Sequence, residues 1–157
     1  MAEKLKIISN SEDNTQKVAC RIARLFHSGD LIILDGDLGA GKTYFVKGFV
    51  DGWHSTELVN SPTFSIANFY KTSGFDILHI DLYRIENIDE FSDLGLIDYF
   101  DQTIVLIEWG KKIAAYLEEY LLISFEINDD NTRTLTFTGK GVKYDSIINV
   151  LKKNELC

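Results

Sequence analysis

The sequence predicts an α/β domain of three layers: a central, mostly parallel sheet between helices, with a hairpin towards the C-terminus. Three observations predict it. Strand-like and helix-like patterns alternate from Leu5 to Lys153. Two runs, Leu31–Asp35 (LIILD) and Thr103–Trp109 (TIVLIEW), are apolar without alternation, as strands covered on both faces are. A glycine-rich segment, Gly36–Thr43, follows the first of these runs and opens a helical pattern. The 157 residues, 45% of them apolar, suit one domain over 1–157, since domains commonly reach about 100–150 residues.

The elements follow in order. LKII, from Leu5, reads as a short strand. Ser9 stands three residues before Glu12, which is capping-box spacing. Val18, Ala19, Ile22, Leu25 and Phe26 then recur at helical spacing, and Gly29 closes the helix. After the LIILD strand and the glycine loop, Phe45, Val46 and Phe49 form a helical stripe that ends at Gly52. Thr63–Tyr70 and Phe75–Tyr83 read as strands about a turn at Lys71–Gly74. Glu86–Phe100 reads as one broken helix or two short ones, divided near Gly95. TIVLIEW is the next strand and Lys111–Tyr120 a helix. Leu121–Asn128 and Arg133–Gly139 flank the turn DDNT as a hairpin, and Tyr144–Lys153 is a terminal helix.

Composition excludes several functions. The net charge is -8, and no basic cluster exceeds the pairs Lys111-Lys112 and Lys152-Lys153. Tight nucleic-acid binding by this chain alone is not expected, because neutralising phosphates needs a positive face. The first residues turn acidic at once and carry no apolar core of a secretory signal. No window approaches the ~18 apolar residues of a membrane span. Cys20 and Cys157 make no disulfide framework and read as free thiols of a reducing, cytoplasmic compartment.

The glycine loop carries the chemistry. Gly36, four residues, then Gly41, Lys42 and Thr43 match the spacing G-x-x-x-x-G-K-[ST], between a strand and a helix. Gly36, Gly39, Ala40 and Gly41 let the backbone wrap an anion, and the helix N-terminus offers unpaired N–H groups to phosphate. Lys42 reaches the β- and γ-phosphates of ATP, and the Thr43 hydroxyl goes to Mg²⁺. Such a loop needs a carboxylate at the end of a neighbouring strand. Glu108 closes IVLIE and Asp81 closes ILHID, so both are candidates. Pro62, the single proline, restricts Ser61. Its loop is either a switch, with Thr63 sensing the γ-phosphate, or an ordinary rigid connection. Trp109 follows Glu108 and either faces a partner, covers the site or edges the core.

GDLGAGKT, SPTFS, HIDLYR and IEW, in this order and spacing over roughly residues 8–139, resemble the TsaE family of P-loop ATPases. The resemblance implies an accessory ATPase for N6-threonylcarbamoyladenosine formation at position 37 of ANN-decoding tRNAs. It implies the partners TsaD and TsaB, with tRNA met only through their complex, and no membrane. It places Lys42 and Thr43 on phosphate and Mg²⁺, Glu108 on the metal side, and Asp81 in hydrolysis together with Lys42. It sets Ser9, Thr15 and Arg133 near the adenine. Two positions depart from the family pattern: Tyr44, where a second Thr is frequent, and Gly110, where Pro is frequent. The residues themselves leave two rivals, a small-molecule kinase and an ATP-dependent binding switch with little turnover.

Overall fold

The computed structural model describes residues 3–55, 57–60, 62 and 66–153. Ser61, Thr63 and Cys157, singled out above, lie outside these residues. The strands are β1 Lys4–Ser9, β2 Leu31–Gly36, β3 Ala67–Lys71, β4 Asp76–Asp81, β5 Thr103–Glu108, β6 Tyr120–Ile127 and β7 Arg133–Lys140. Among the described residues they form one seven-stranded sheet in the order β1-β7-β6-β2-β5-β4-β3. β6, β2, β5 and β4 are parallel neighbours. β3 and β7 run the other way, and β1 returns beside β7, so the sheet is mixed and mostly parallel.

The apolar runs explain the centre. Ile104, Val105, Leu106 and Ile107 of β5 are all at 0% exposure. Ile104 and Leu106 enter one core, and Val105 and Ile107 enter the other. Each such side chain contributes roughly 1.5–3 kcal/mol on burial. Helices α1 (Glu12–Ile22) and α2 (Lys42–Gly52) build the first core together with the C-terminal Val142–Lys153 helix. Helix α3 (Ile88–Asp93) and the 3₁₀ segment Leu96–Gln102 build the second, and Gly95 divides them. The C-terminal helix is α4.

Three local expectations are corrected. Ser11, not Ser9, caps α1, its hydroxyl accepting the Asn14 N–H at 3.0 Å. Ser9 instead ends β1, fully buried, with its hydroxyl 2.6 Å from Thr15 Oγ1. Of the strand expected over Thr63–Tyr70, residues 63–65 lie outside the described residues; Ile66 is not extended but takes a left-handed φ of 68° with its N–H on the Pro62 carbonyl, and β3 runs from Ala67. The helix expected over Lys111–Tyr120 is two 3₁₀ turns, Gly110–Lys112 and Ala114–Tyr116, and Tyr120 already belongs to β6. Trp109, at a left-handed φ of 61°, takes the chain off the helical path before the first turn, and Ile113, at φ -115° and ψ 0°, breaks it again between the two turns. Lys112 secures the turn by donating to the Leu82, Tyr83 and Ile85 carbonyls, each at 2.8 Å.

Tyr144 ties α4 to the start of β2, its hydroxyl accepting the Leu31 N–H at 2.8 Å. Burial raises its pKa from 10.0 to about 12. The folded chain therefore keeps a proton that the unfolded chain releases, and this contribution to stability is lost as pH rises from 10 towards 12. Tyr144→Phe leaves the Leu31 N–H without its acceptor, at a cost of about 1–3 kcal/mol near neutral pH. Urea unfolding across pH should show that lower stability together with a shallower fall above pH 10.

Candidate functional site

The parallel strands deliver the expected residues to one edge. β2 runs into Gly36, and in register beside it Leu34 pairs with Glu108, and Glu108 with Asp81. The loop from Gly36 then lies at the carboxyl ends of three neighbouring parallel strands, where open α/β sheets take their ligands. Gly36 is required by space, since a Cβ there would lie 2.6 Å from the Phe125 carbonyl oxygen of β6. Gly41 sits at the N-terminus of α2 with a left-handed φ of 106°. The first N–H groups of an 11-residue helix therefore open into the loop.

Lys42 is buried, and its ammonium donates to the Gly36 carbonyl. It also lies 3.8 Å from the centre of the Trp109 ring. Burial lowers its pKa below 10.5, while Glu108, Asp35, Asp81 and Asp37 act to raise it. Trp109 is half-buried with a left-handed φ of 61°, and its ring packs 5.1 Å from Tyr83. The indole therefore covers the Lys42 ammonium. Gly110 fits because a Cβ would meet Ile33 Cγ2 at 2.9 Å.

A cleft of about 300 Å³ joins Lys42, Thr43, Asp81, Glu108 and Trp109, with Leu38 and Tyr83 on its rim. Asp81 accepts the Tyr83 N–H at 2.9 Å. Glu108 is buried and meets His79 Nε2 at 2.6 Å. A second cleft, about 400 Å³, continues past Gly39, Ala40 and Gly41 to Ser11, Thr15 and Arg133. Arg133 bridges it by donating to the Gly39 carbonyl at 3.3 Å. Ser9 does not line this cleft; it stands behind the wall and holds Thr15.

Sequence reasoning missed Glu12, Tyr44 and Asn131. Glu12 and Tyr44 line both clefts, and Asn131 lines the larger. A hydrogen bond from Tyr44 to Glu12 raises the tyrosine's pKa. The only sequence signal was the departure at Tyr44 from the family pattern. Asn131 gave none until the hairpin brought it back over the loop.

The donor set fits Mg²⁺. No cluster of three or more His, Cys, Asp or Glu able to enclose a metal occurs among the described residues. Mg²⁺ in nucleotide sites takes one or two carboxylates and completes its shell with phosphate and water. Thr43 and Glu108, with Asp81 adjacent, are such a set.

The family described as threonylcarbamoyl adenosine biosynthesis protein TsaE matches residues 9–135. The chain is similar to the tRNA threonylcarbamoyladenosine biosynthesis protein TsaE of Bacillus subtilis, 39% identical over 155 residues, covering 98% of this chain and 97% of that one. The protein of the same name from Rickettsia felis is 34% identical over 153 residues, covering 96% and 88%. The crystal structure of B. subtilis YdiB superposes with a TM-score of 0.85 at 34% identity, covering 99% of this chain and 98% of the other.

Proposed function

The chain belongs to the TsaE family of threonylcarbamoyladenosine biosynthesis proteins, and from that premise we propose that it binds ATP with Mg²⁺ and hydrolyses it on partner demand. The carrying observation is the register that sets Asp81 beside Glu108, and Glu108 beside the strand entering the glycine loop. The loop backbone and Lys42 hold the phosphates. The larger cleft, with Thr15, Tyr44 and Arg133, takes the nucleoside, and Ser9 supports it from behind. Thr43 and Glu108 hold Mg²⁺, which offsets phosphate charge when bound. Asp81 orients the attacking water.

The product of this work is support for N6-threonylcarbamoyladenosine formation on tRNA, as the relatives' names state for them. TsaD- and TsaB-like proteins hold the tRNA, and hydrolysis resets their complex between rounds. The charge of -8 fits a chain that leaves the nucleic acid to its partners. Leu38 and Tyr83, 67% and 48% exposed, give the rim an apolar contact beside Trp109. The chain works as one domain in the cytoplasm; no helix among the described residues is long and apolar enough to cross a membrane.

Phosphate release with no added acceptor separates this reading from a kinase, and stimulation by TsaD–TsaB separates it from a pure switch. Two variants divide the acids. Glu108→Gln should raise the Mg²⁺ needed for ATP binding. Asp81→Asn should spare binding and cut turnover about 100-fold or more. The reverse pattern exchanges the two roles, and unchanged hydrolysis in both removes them from the mechanism.

A further inference from the structure

His79 interrupts the apolar run of β4, yet it is at 0% exposure. A leucine would suit such a position, and a buried imidazole persists only where its nitrogens are partnered. Both are. Nε2 lies 2.6 Å from Glu108 Oε2, and Nδ1 lies 3.2 Å from the Tyr70 hydroxyl of β3. Tyr70 is buried too, and its hydroxyl also lies 3.1 Å from the Asn60 carbonyl. Asn68 Nδ2 donates to the same carbonyl at 3.2 Å. A chain of contacts therefore runs from a backbone group outside the cleft to the carboxylate inside it.

The terminal torsion of a glutamate is broad, so an unheld carboxylate turns freely. His79 fixes one oxygen and leaves the other to the cleft that Glu108 lines. Partners behind a metal-facing ligand commonly tune affinity about 10–100-fold. We propose that His79 is a positioning residue of the nucleotide site, which orients Glu108 towards Mg²⁺ and is itself held by Tyr70 through the anchor at Asn60. This rests on the reading of Glu108 as the metal-side acid.

The test is binding of a fluorescent ATP analogue at rising Mg²⁺, with a thermal melt for each variant. His79→Leu should need about 10-fold more Mg²⁺ for half-maximal binding. Binding without Mg²⁺ should stay at the wild-type level. His79→Gln, whose amide can still donate to Glu108, should recover most of the loss. Tyr70→Phe should give a smaller shift in the same direction. A wild-type Mg²⁺ requirement in His79→Leu overturns the proposal, as does a glutamine variant no better than leucine. Should His79→Leu not fold, Tyr70→Phe decides, and an unchanged requirement there overturns it. Glu108→Gln separates the two levels. If it leaves the Mg²⁺ dependence unmoved, the metal-side reading fails. If it shifts that dependence and the His79 variants do not, only the present inference fails.

Discussion

Lys42→Ala is expected to weaken ATP binding by about 100-fold or more. Each hydrogen bond to a charged group contributes about 1.5–3 kcal/mol, and the lysine supplies contacts to two phosphates. Nothing replaces it in the cleft, where Glu108, Asp81 and Glu12 are the neighbouring charges. Its removal leaves those carboxylates facing phosphate, so the loss exceeds that of the contacts alone. The fold should survive. The variant gives up the Trp109 contact and the bond to Gly36, but it also sheds a charge that burial disfavours. The same burial sets a pH limit for the wild type. Affinity should hold through neutral pH and decline as pH approaches the lowered pKa of Lys42, before the ordinary 10.5 is reached. Titration with labelled ATP from neutral to alkaline pH measures both effects. Wild-type affinity in the alanine variant would remove the loop from phosphate binding.

Gly48→Ala should be the most damaging single methyl in the chain's first core. A Cβ there would lie 2.0 Å from the Gln16 carbonyl oxygen and 2.7 Å from its Cα. Both atoms are backbone, so no side chain can swing aside and α1 itself has to move. Helix propensity argues the other way, since alanine gains about 1 kcal/mol over glycine inside a helix. The clash wins, because overpacking commonly costs 1–3 kcal/mol and here the obstacle is a whole helix. A clash at the top of that range, less the propensity gain, leaves a net loss of about 2 kcal/mol, which should lower Tm by roughly 4–8 °C for a domain of this size. The displacement also separates Thr15 of α1 and its cap Ser11 from Tyr44 of α2 and its cap Gly41, which line the larger cleft together. Nucleotide affinity should therefore fall with stability. A Tm equal to or above the wild type would mean that propensity decides and the helices are not in backbone contact.

Much of this arrangement was legible from residues. β2 and β5 announced themselves by unbroken aliphatic runs, and the glycine spacing between β2 and α2 marked the phosphate loop. Glu108 and Asp81 were legible as acids at strand ends. That they stand side by side depends on the β4–β5 register, which strand patterns do not state. Ser9 and Ser11 offer the same hydroxyl two residues apart, and the choice falls to pairing: Ser9 is taken by β1 opposite Arg133. Lys111–Tyr120 has helical composition, but the backbone leaves the helical path at Ile113, and Lys112 is held by three carbonyls of the segment that follows β4. The need for glycine at position 48 was not legible, because its reason lies on α1. His79 looked like an irregularity, because Tyr70 and Glu108 come from neighbouring strands.

The edge of the sheet has a consequence for synthesis. β1 is made long before its only strand partner among the described residues, β7. At about 5–20 residues per second a ribosome needs roughly 6–25 seconds to go from β1 to that partner. Until then β1 is an unpaired strand, and α1, which follows it directly, lacks that anchor. Arg133, which reaches back to the glycine loop, arrives with β7 itself. The Lys42 end of the cleft is thus encoded in a stretch made earlier, while its Arg133 end closes only when the hairpin emerges. A nascent chain halted before β7 would carry the lysine and threonine of the loop without the wall that Asn131 and Arg133 give the larger cleft.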